Sequence, residues 1–554
     1  MSYRPDGQST VADVACSAAT RIRTILAINF NHDGSGVLLV DGRICAYLCT
    51  ERFSRVKKHP GIRECDLDEL LDQGGLSLSD IDHVVLCNLH IMDSPDIVAL
   101  HGSDLKETWL EFWLNQTRSV VELRGRRIPC TVNPDHHLIH AAAAYFTSPF
   151  ESGVALAVDP TGCRSFLGRQ NRLDPLPLNL DGWFNANIGY SAVSDHLFGS
   201  SIVGAGKVMA LAPYGRPTSR SGDVDLPTSM RTFQQLRAFA EQHARYVTVN
   251  GRELNATLAY CVQLGLERQL RRVYRVLARV SARHGVARAI AMSGGTALNA
   301  VANQVAFDGS GFEAMHLHPA CGDDGTAIGA ALWYWHHVLG QPRENYRPDA
   351  LMYSVRVYPQ EAVRQALDGH AHRIVVERTD DSVGRAAELI AQGNVVGWFN
   401  GASEVGPRAL GNRSILADPQ DPGIQERINS TVKFREHFRP FAPAVLNEHA
   451  MEWFGIRDSP FMLRAVPMLR AGAPGVCHGE DGIARVQTVA QPDNPSFHEL
   501  IQRFADRTGM PLVLNTSLNT LGEPIVETPA DAVQTLLNCA LNYLVMPGVV
   551  VRRR

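Results

Sequence analysis

The feature that most constrains this chain is the run His136-His137-Leu138-Ile139-His140-Ala141-Ala142-Ala143-Ala144-Tyr145, followed by an apolar stretch, 154–158, that ends at Asp159-Pro160-Thr161-Gly162. The alanines favour helix, and in a helix His136 and His140 lie one turn apart on one face, about 5–6 Å between Cβ atoms. Two imidazoles so placed can grip one metal ion. The apolar stretch reads as a buried strand, and a carboxylate at its end, Asp159, completes a two-histidine, one-carboxylate set with open positions. Such a set suits an iron-type or zinc-type site; ordinary histidines at a helix start are the competing reading.

At 554 residues the chain exceeds one ordinary core, so at least two domains are expected. Its 53 basic and 57 acidic side chains give a net charge of -4, and no long block of like charge occurs. A dedicated nucleic-acid partner is therefore disfavoured. The eleven cysteines are odd in number and lack CxxC pairs, which indicates reduced cytosolic thiols rather than a disulfide framework or zinc ribbon. Asp13, Arg21 and Arg23 spoil a signal peptide, and the longest uncharged runs, 289–307 and 534–551, carry polar residues, Gly or Pro where a lipid span needs apolar ones. The expectation is a soluble cytoplasmic protein with no membrane partner, preceded by an irregular or disordered extension at 1–22.

In order, 24–30, 37–40 and 43–49 read as strands, with Asn31-His32-Asp33-Gly34-Ser35-Gly36 as a polar turn able to wrap a phosphate. His32 and Asp33 there are either ligands and acid–base groups or turn formers. The basic run 51–59 reads as a solvated helix face, and 204–213 as a glycine-rich loop presenting Lys207 to an anion. Residues 253–283 have a long amphipathic helical pattern. Ser293-Gly294-Gly295-Thr296 and Gly322-Asp323-Asp324-Gly325 are two glycine turns opening helices, whose backbone N–H groups favour anions. Together these are the parts of a duplicated actin-like, hexokinase-like α/β fold.

The turn Asn29–Gly36, the HHLIHAAAAYFTSPF run, 158–162, GKVMALAPYG, SGGTALNAVAN, HPACGDDGTAIGAAL, the block 398–418, KFREHFRPFAP, RVQTV and 514–526 occur in one order. In that order they resemble the NodU/CmcH family of O-carbamoyltransferases, the nebramycin synthase-like group. The resemblance implies an α/β chain with an actin/hexokinase-like (ASKHA) metal-containing transfer domain at 23–345 and a YrdC-like domain at 346–554. The YrdC-like site would join carbamoyl phosphate to ATP, giving carbamoyladenylate and pyrophosphate, with Mg on the nucleotide; the metal site would pass the carbamoyl group to an alcohol. The metal ligands implied are His136, His140, Asp159 and Asp323, with iron first and zinc or manganese permitted by the ligand types. His32, Asp33 and Lys207 become catalytic candidates, and Gly162, Gly294, Gly295 and Asn299 would hold the adenylate.

In the second half, Arg408, Arg413, Lys433, Arg435 and Arg439 are dense cations beside Gly and Pro, suited to bidentate capture of phosphate. Asn515, Thr516, Ser517 and Asn519 add neutral donors and acceptors for a carbamoyl group or a ribose. Three positions depart from the family pattern: Ala205 where glutamate is common, Ala402 where arginine is common, and Pro160 where Asp-Gly is usual. Ala205 would tune the acceptor pocket and Ala402 would weaken a phosphate contact. The expected acceptor is a small-molecule hydroxyl of a natural product, as in antibiotic biosynthesis, and a homodimer is an allowed assembly. Two other readings stand beside this one: a threonylcarbamoyl-type tRNA-modifying enzyme, and a nucleotide-binding regulator with decayed chemistry.

Overall fold

The structure, a computed structural model, describes residues 22–88, 119–133, 135–181, 184–216, 233–354, 356–479 and 482–554. The proposed extension at 1–22 lies, apart from Ile22, outside them. The first sheet holds β1 (Thr24–Asn29), β2 (Ser35–Val40), β3 (Arg43–Cys49), β4 (His83–Cys87), β5 (Val120–Leu123) and β6 (Arg126–Asn133), in the order β3-β2-β1-β4-β6-β5. A second sheet holds β7 (Ser152–Asp159), β8 (Gly162–Arg169), β9 (Arg172–Pro175), β12 (Ala289–Ser293) and β13 (Ala314–Leu317); the hairpin β10 (Tyr246–Val249) and β11 (Arg252–Asn255) stands apart.

The two sheets repeat one plan. In each, three antiparallel strands are followed by two that pair in parallel, β1 with β4 and β4 with β6, then β7 with β12 and β12 with β13. This is the duplicated arrangement expected from the glycine turns. A helix follows the last parallel strand of each half, His136–Thr147 and Thr326–Leu332. These helices meet closely: a Cβ on Gly329 would lie 1.9 Å from the carbonyl oxygen of Ile139. The repeated geometry brings the ends of β1, β7 and β13 and the start of helix His136–Thr147 to one place.

The second lobe is an eight-stranded mixed sheet. Its strands are β14 (Ile374–Arg378), β15 (Val396–Phe399), β16 (Arg413–Ala417), β17 (Ala442–Leu446), β20 (Gln487–Val489), β21 (Leu512–Ser517), β22 (Tyr543–Met546) and β23 (Val549–Arg553), in the order β14-β23-β22-β15-β16-β21-β17-β20. The ribbon of β18 (Ala465–Pro467) and β19 (Ile483–Arg485) lies beside it. The lobes share one hydrophobic core: Leu266, Leu270 and Leu277 of helix Ala256–Arg283 belong to the same buried cluster as Leu410, Phe438 and Met462. Burial of this much apolar surface fixes the lobes against each other.

Two local expectations change. Residues 201–211 form a helix rather than a glycine-rich loop, capped by Ser200, whose Oγ accepts from the Val203 amide at 3.2 Å. The basic run 51–59 is not a solvated helix face: only Thr50–Ser54 is helical, and Arg52 is 4% exposed. Packing of the second lobe over this run overrides its polarity.

Candidate functional site

The helix His136–Thr147 begins with Asp135, whose carboxylate accepts from the Leu138 amide at 3.0 Å, so its first turns are held and both histidines face inward. His136 Nε2 and His140 Nε2 lie 3.2 Å apart. Asp159 Oδ2, at the end of β7, is 2.8 Å from His136 Nε2, and Asp323 Oδ1, after β13, is 3.1 Å from His140 Nε2. All four side chains are buried or nearly so.

The outer contacts fix which nitrogen faces the centre. Asn88 donates its Nδ2 to Asn29 Oδ1 at 2.8 Å, leaving its Oδ1 to accept from His136 Nδ1 at 2.8 Å. Ser293 donates its hydroxyl to the Cys321 carbonyl at 3.0 Å and so accepts from His140 Nδ1 at 3.2 Å. Each ring therefore carries its proton on Nδ1 and turns a bare Nε2 inward. On Asp159, Oδ1 accepts from the Thr161 amide, the Thr161 hydroxyl and the Gly162 amide, while the buried Oδ2 has no hydrogen bond. Two lone pairs facing each other beside an unsatisfied carboxylate oxygen repel unless a cation or proton lies between them. Imidazole nitrogens this close can share one ion at the usual distance of about 2.0–2.1 Å. The donor set fits a divalent metal.

Without an ion a proton takes that place. Burial pulls His136 down, but Asp323 and Asp159 outweigh it and push its pKa up to about 9. Burial and the neighbouring His136 hold His140 below the usual range. Both carboxylates are kept well below theirs: burial opposes this, and the histidines prevail.

His32 reaches the same cluster, with Nε2 3.6 Å from Asp323 Oδ2 and Nδ1 2.9 Å from Asp33 Oδ2. Asn31 donates to Asp323 Oδ2, and Asn29 donates to the Asp323 backbone oxygen at 3.0 Å. Gly294 has φ +98°, and a Cβ there would lie 2.2 Å from the Val158 carbonyl oxygen, so the turn beside His140 demands glycine. The Gly294 amide is engaged by the Cys321 carbonyl, and Asn299 caps helix Ala300–Phe307 and bonds Gln263. Gly162 approaches His137 and Asp181. Pro160 is exposed, and Thr161 after it supplies two of the Asp159 contacts.

A second site lies between the lobes: a cavity of about 280 Å³ lined by Lys57, Arg408, Lys433, Arg435, Arg439 and Arg485, with Asn515, Thr516, Ser517 and Asn519. Lys433 Nζ bonds Asn519 Oδ1 at 2.6 Å and Ser517 Oγ at 3.1 Å. Arg435 bonds Asn429 Oδ1 at 2.7 Å and stacks on Phe441. Arg408 donates Nη2 to the Leu298 carbonyl at 3.2 Å, yet its Nε, like that of Arg485, is buried without a partner. Burial, and behind it the neighbouring cations, push Lys433, Arg435 and Arg485 well below their usual ranges. Crowded cations of this kind need an anion.

The sites meet at the turn after β12. Ser293 holds His140, Leu298 accepts from Arg408, and Ala300 and Val301 line the cavity. From the other side Gly406, φ +94°, packs onto Pro319 and Ala320, close before Asp323.

Two expectations require correction. Arg413 does not line the cavity: it is fully buried, lies 3.7 Å from the Phe399 ring centroid, and donates to the carbonyls of Asn400, Gly401, Asn412 and Glu527. Lys207 pairs with Glu436 of the second lobe at 2.7 Å, and no contact with the His–Asp cluster is present among the described residues. Ala402 is buried, with its carbonyl accepting from Asn412 at 2.8 Å, and its methyl group is not part of the cavity wall. Sequence reasoning missed Lys57 and Arg485 in the cavity, and Asn88 and Ser293 behind the histidines. Ser293 and Arg485 stood inside quoted motifs, whereas Asn88 carried no signal.

The description "Carbamoyltransferase N-terminus" matches residues 24–332, and "Carbamoyltransferase C-terminus" matches 387–553. The chain belongs to the carbamoyltransferase family. It is 34% identical to nodulation protein NolNO of Sinorhizobium fredii, covering 95% of this chain and 79% of that protein. It is also 30% identical to the uncharacterized protein sll1178 of Synechocystis, over 96% of each. Among solved structures, the activator of the 2-hydroxyisocaproyl-CoA dehydratase from Clostridium difficile covers 56% of this chain and 92% of its own, at 14% identity and a TM-score of 0.32, too loose to carry an argument. The enzyme class read from the sequence, an O-carbamoyltransferase, is the class of this family. No helix among the described residues is long and apolar enough to cross a membrane.

Proposed function

We propose that this carbamoyltransferase makes carbamoyladenylate from carbamoyl phosphate and MgATP in the cationic cavity, then transfers the carbamoyl group to a small-molecule hydroxyl at the His–Asp cluster. The acceptor is a natural product and the setting cytoplasmic. The observation that carries this reading is the cavity wall of six cations, Lys57, Arg408, Lys433, Arg435, Arg439 and Arg485, two with buried unpartnered Nε groups. A triphosphate together with an acyl phosphate matches that charge.

In the cavity, water releases phosphate from carbamoyl phosphate, and a carbamate oxygen attacks the α-phosphorus of ATP; the bond to pyrophosphate breaks. Arginines hold the phosphates in line, Lys433 takes charge from the leaving groups, and Thr516 and Ser517 offer hydroxyls to the carbamate. In the transfer step the acceptor oxygen attacks the carbamoyl carbon, AMP departs, and His32 Nε2 takes the hydroxyl proton, its ring held by Asp33. The residues able to hold a divalent ion are His136, His140, Asp159 and Asp323, with iron the first choice, and such an ion supplies Lewis-acid polarisation of a carbonyl.

The test needs no acceptor. Purified protein with ATP, Mg²⁺ and carbamoyl phosphate is expected to release pyrophosphate and yield carbamoyladenylate by mass spectrometry. Absence of both from metal-replete protein sinks the reading.

A further inference from the structure

The segment 433–439 faces two ways. Lys433, Arg435 and Arg439 line the cationic cavity, whereas Glu436 leaves them for the first lobe, where its Oε1 accepts from Lys207 Nζ at 2.7 Å. Phe438 goes the same way and is buried beside Phe198 and Tyr214, at 6.4 and 6.5 Å between ring centroids. Lys207 sits on helix Ser201–Leu211, which also presents Gly206, Met209 and Ala210 to the cavity. Spacings of three and four residues put those three on one helix face, with Lys207 beside it. The ammonium lies 5.5 Å from the Phe198 ring centroid, and the Ala210 carbonyl accepts from His478 Nε2 at 2.8 Å. This helix is therefore fastened to the second lobe by a charge and by its backbone.

Glu436 is held by one oxygen only. Its Oε2 is buried without a hydrogen bond and lies 3.9 Å from Arg439 Nη1, beyond hydrogen-bond reach. The Arg439 amide bonds the Glu436 carbonyl at 3.2 Å, so the two side chains leave one tight turn, and a small rotation of the carboxylate joins them. Among the described residues the Arg439 guanidinium makes no hydrogen bond, which leaves its donors for an anion in the cavity. Two cations thus compete for one carboxylate, and Lys207 is the one in contact. Without that ammonium, a carboxylate whose side chain is 15% exposed has Arg439 as its nearest countercharge. A guanidinium so occupied is neutralised and turned from the phosphates.

We propose that Lys207 is a positioning residue of the donor site: its ammonium keeps the Glu436 carboxylate turned to the first lobe, so that Arg439 stays available to the anion in the cavity. This rests on the reading of the cavity as the place where carbamoyl phosphate and MgATP react. The lysine of the GKVMALAPYG motif then takes part in the first half-reaction, although it belongs to the lobe that carries the His–Asp cluster.

The test is isothermal titration of the full chain with inorganic pyrophosphate, which needs no turnover. Arg408→Ala is expected to abolish the binding, which locates it in the cavity. Lys207→Met weakens it at least about tenfold, the size of one lost charge-assisted contact, and Lys207→Arg recovers most of it. Adding Glu436→Gln to Lys207→Met restores affinity to within about twofold of the parent, because no carboxylate is left to take Arg439. Arg439→Gln costs about tenfold in the parent and little more in Lys207→Met, since the one contact is lost only once. Glu436→Gln alone stays within about twofold, and this can be read even if Lys207→Met folds poorly. Lost affinity in Glu436→Gln, or no recovery in the double variant, reduces the pair to a brace and overturns the proposal. A parent that binds no pyrophosphate overturns it too. If pyrophosphate binds but ATP and carbamoyl phosphate yield no carbamoyladenylate, the reading of the reaction fails, while the titrations still decide the role of Lys207.

Discussion

Arg408 of the second lobe donates its Nη2 to the carbonyl of Leu298 in the first, 3.2 Å away, in the turn whose opening residue, Ser293, holds His140. A residue of the proposed donor site is thus fastened to the backbone that shapes the proposed transfer site. The two half-reactions remain separable by mutation, because their side chains do not overlap.

Replacing His136 by alanine is expected to strip bound metal and lower carbamoyl transfer by at least about a hundredfold, in the range of a lost catalytic group. Pyrophosphate release should survive. Elemental analysis alongside the release assay checks both halves; loss of both activities would refute the division of labour.

The residue behind the ligand matters as well. Asn88→Ala removes the acceptor that orients His136, and metal affinity is expected to fall about 10- to 100-fold. Competition with a chelator of known affinity measures it.

Arg408 and Arg413 are expected to fail differently. Arg408→Ala should keep its melting temperature while abolishing pyrophosphate release. Arg413→Ala leaves buried carbonyls without donors and should lose at least about 3 kcal/mol of stability. Thermal denaturation of the two variants separates a ligand from a brace.

Stability should fall in mild acid. His318 is fully buried and accepts from the Ala320 amide through Nδ1, and burial pushes it down to about 4 from an unfolded value of 6.5. Between those values the unfolded chain binds the extra proton. The contribution is therefore complete above pH 6.5 and is lost as pH falls toward 4, at about 1.4 kcal/mol per pH unit. Between pH 7.5 and 5 the loss from this group is about 2 kcal/mol. Denaturant titrations of His318→Gln against the parent should show a shallower slope over that range.

Much of the first lobe was legible because its signals are periodic or local. His136 and His140 are spaced by one helical turn, and Asp159 ends an apolar strand. Asp323 was reachable only through the family resemblance, since its approach to His140 depends on how the two halves fold together. The second site was harder. Arg408 and Arg413 are five residues apart, but Arg408 lies in the loop before Gly411, φ +109°, and faces the cavity, whereas Arg413 opens β16 after it and faces the interior. Lys57 was not chosen because the basic run 51–59 reads as a solvated face, and Arg485 because a single cation in its motif looks exposed; the packing of two lobes makes these ligand candidates. The same packing gave Lys207 a partner, Glu436, that no local pattern announces.

The repeated strand order carries a last consequence. Asn29 ends β1 and Asp159 ends β7, equivalent places in the two halves, yet one is a neutral amide tying loops together and the other an anion turned to the histidines. A scaffold that supplies the same corner twice lets one copy remain a joint while the other takes on reactivity, so specialisation here required a change of side chain and no new architecture.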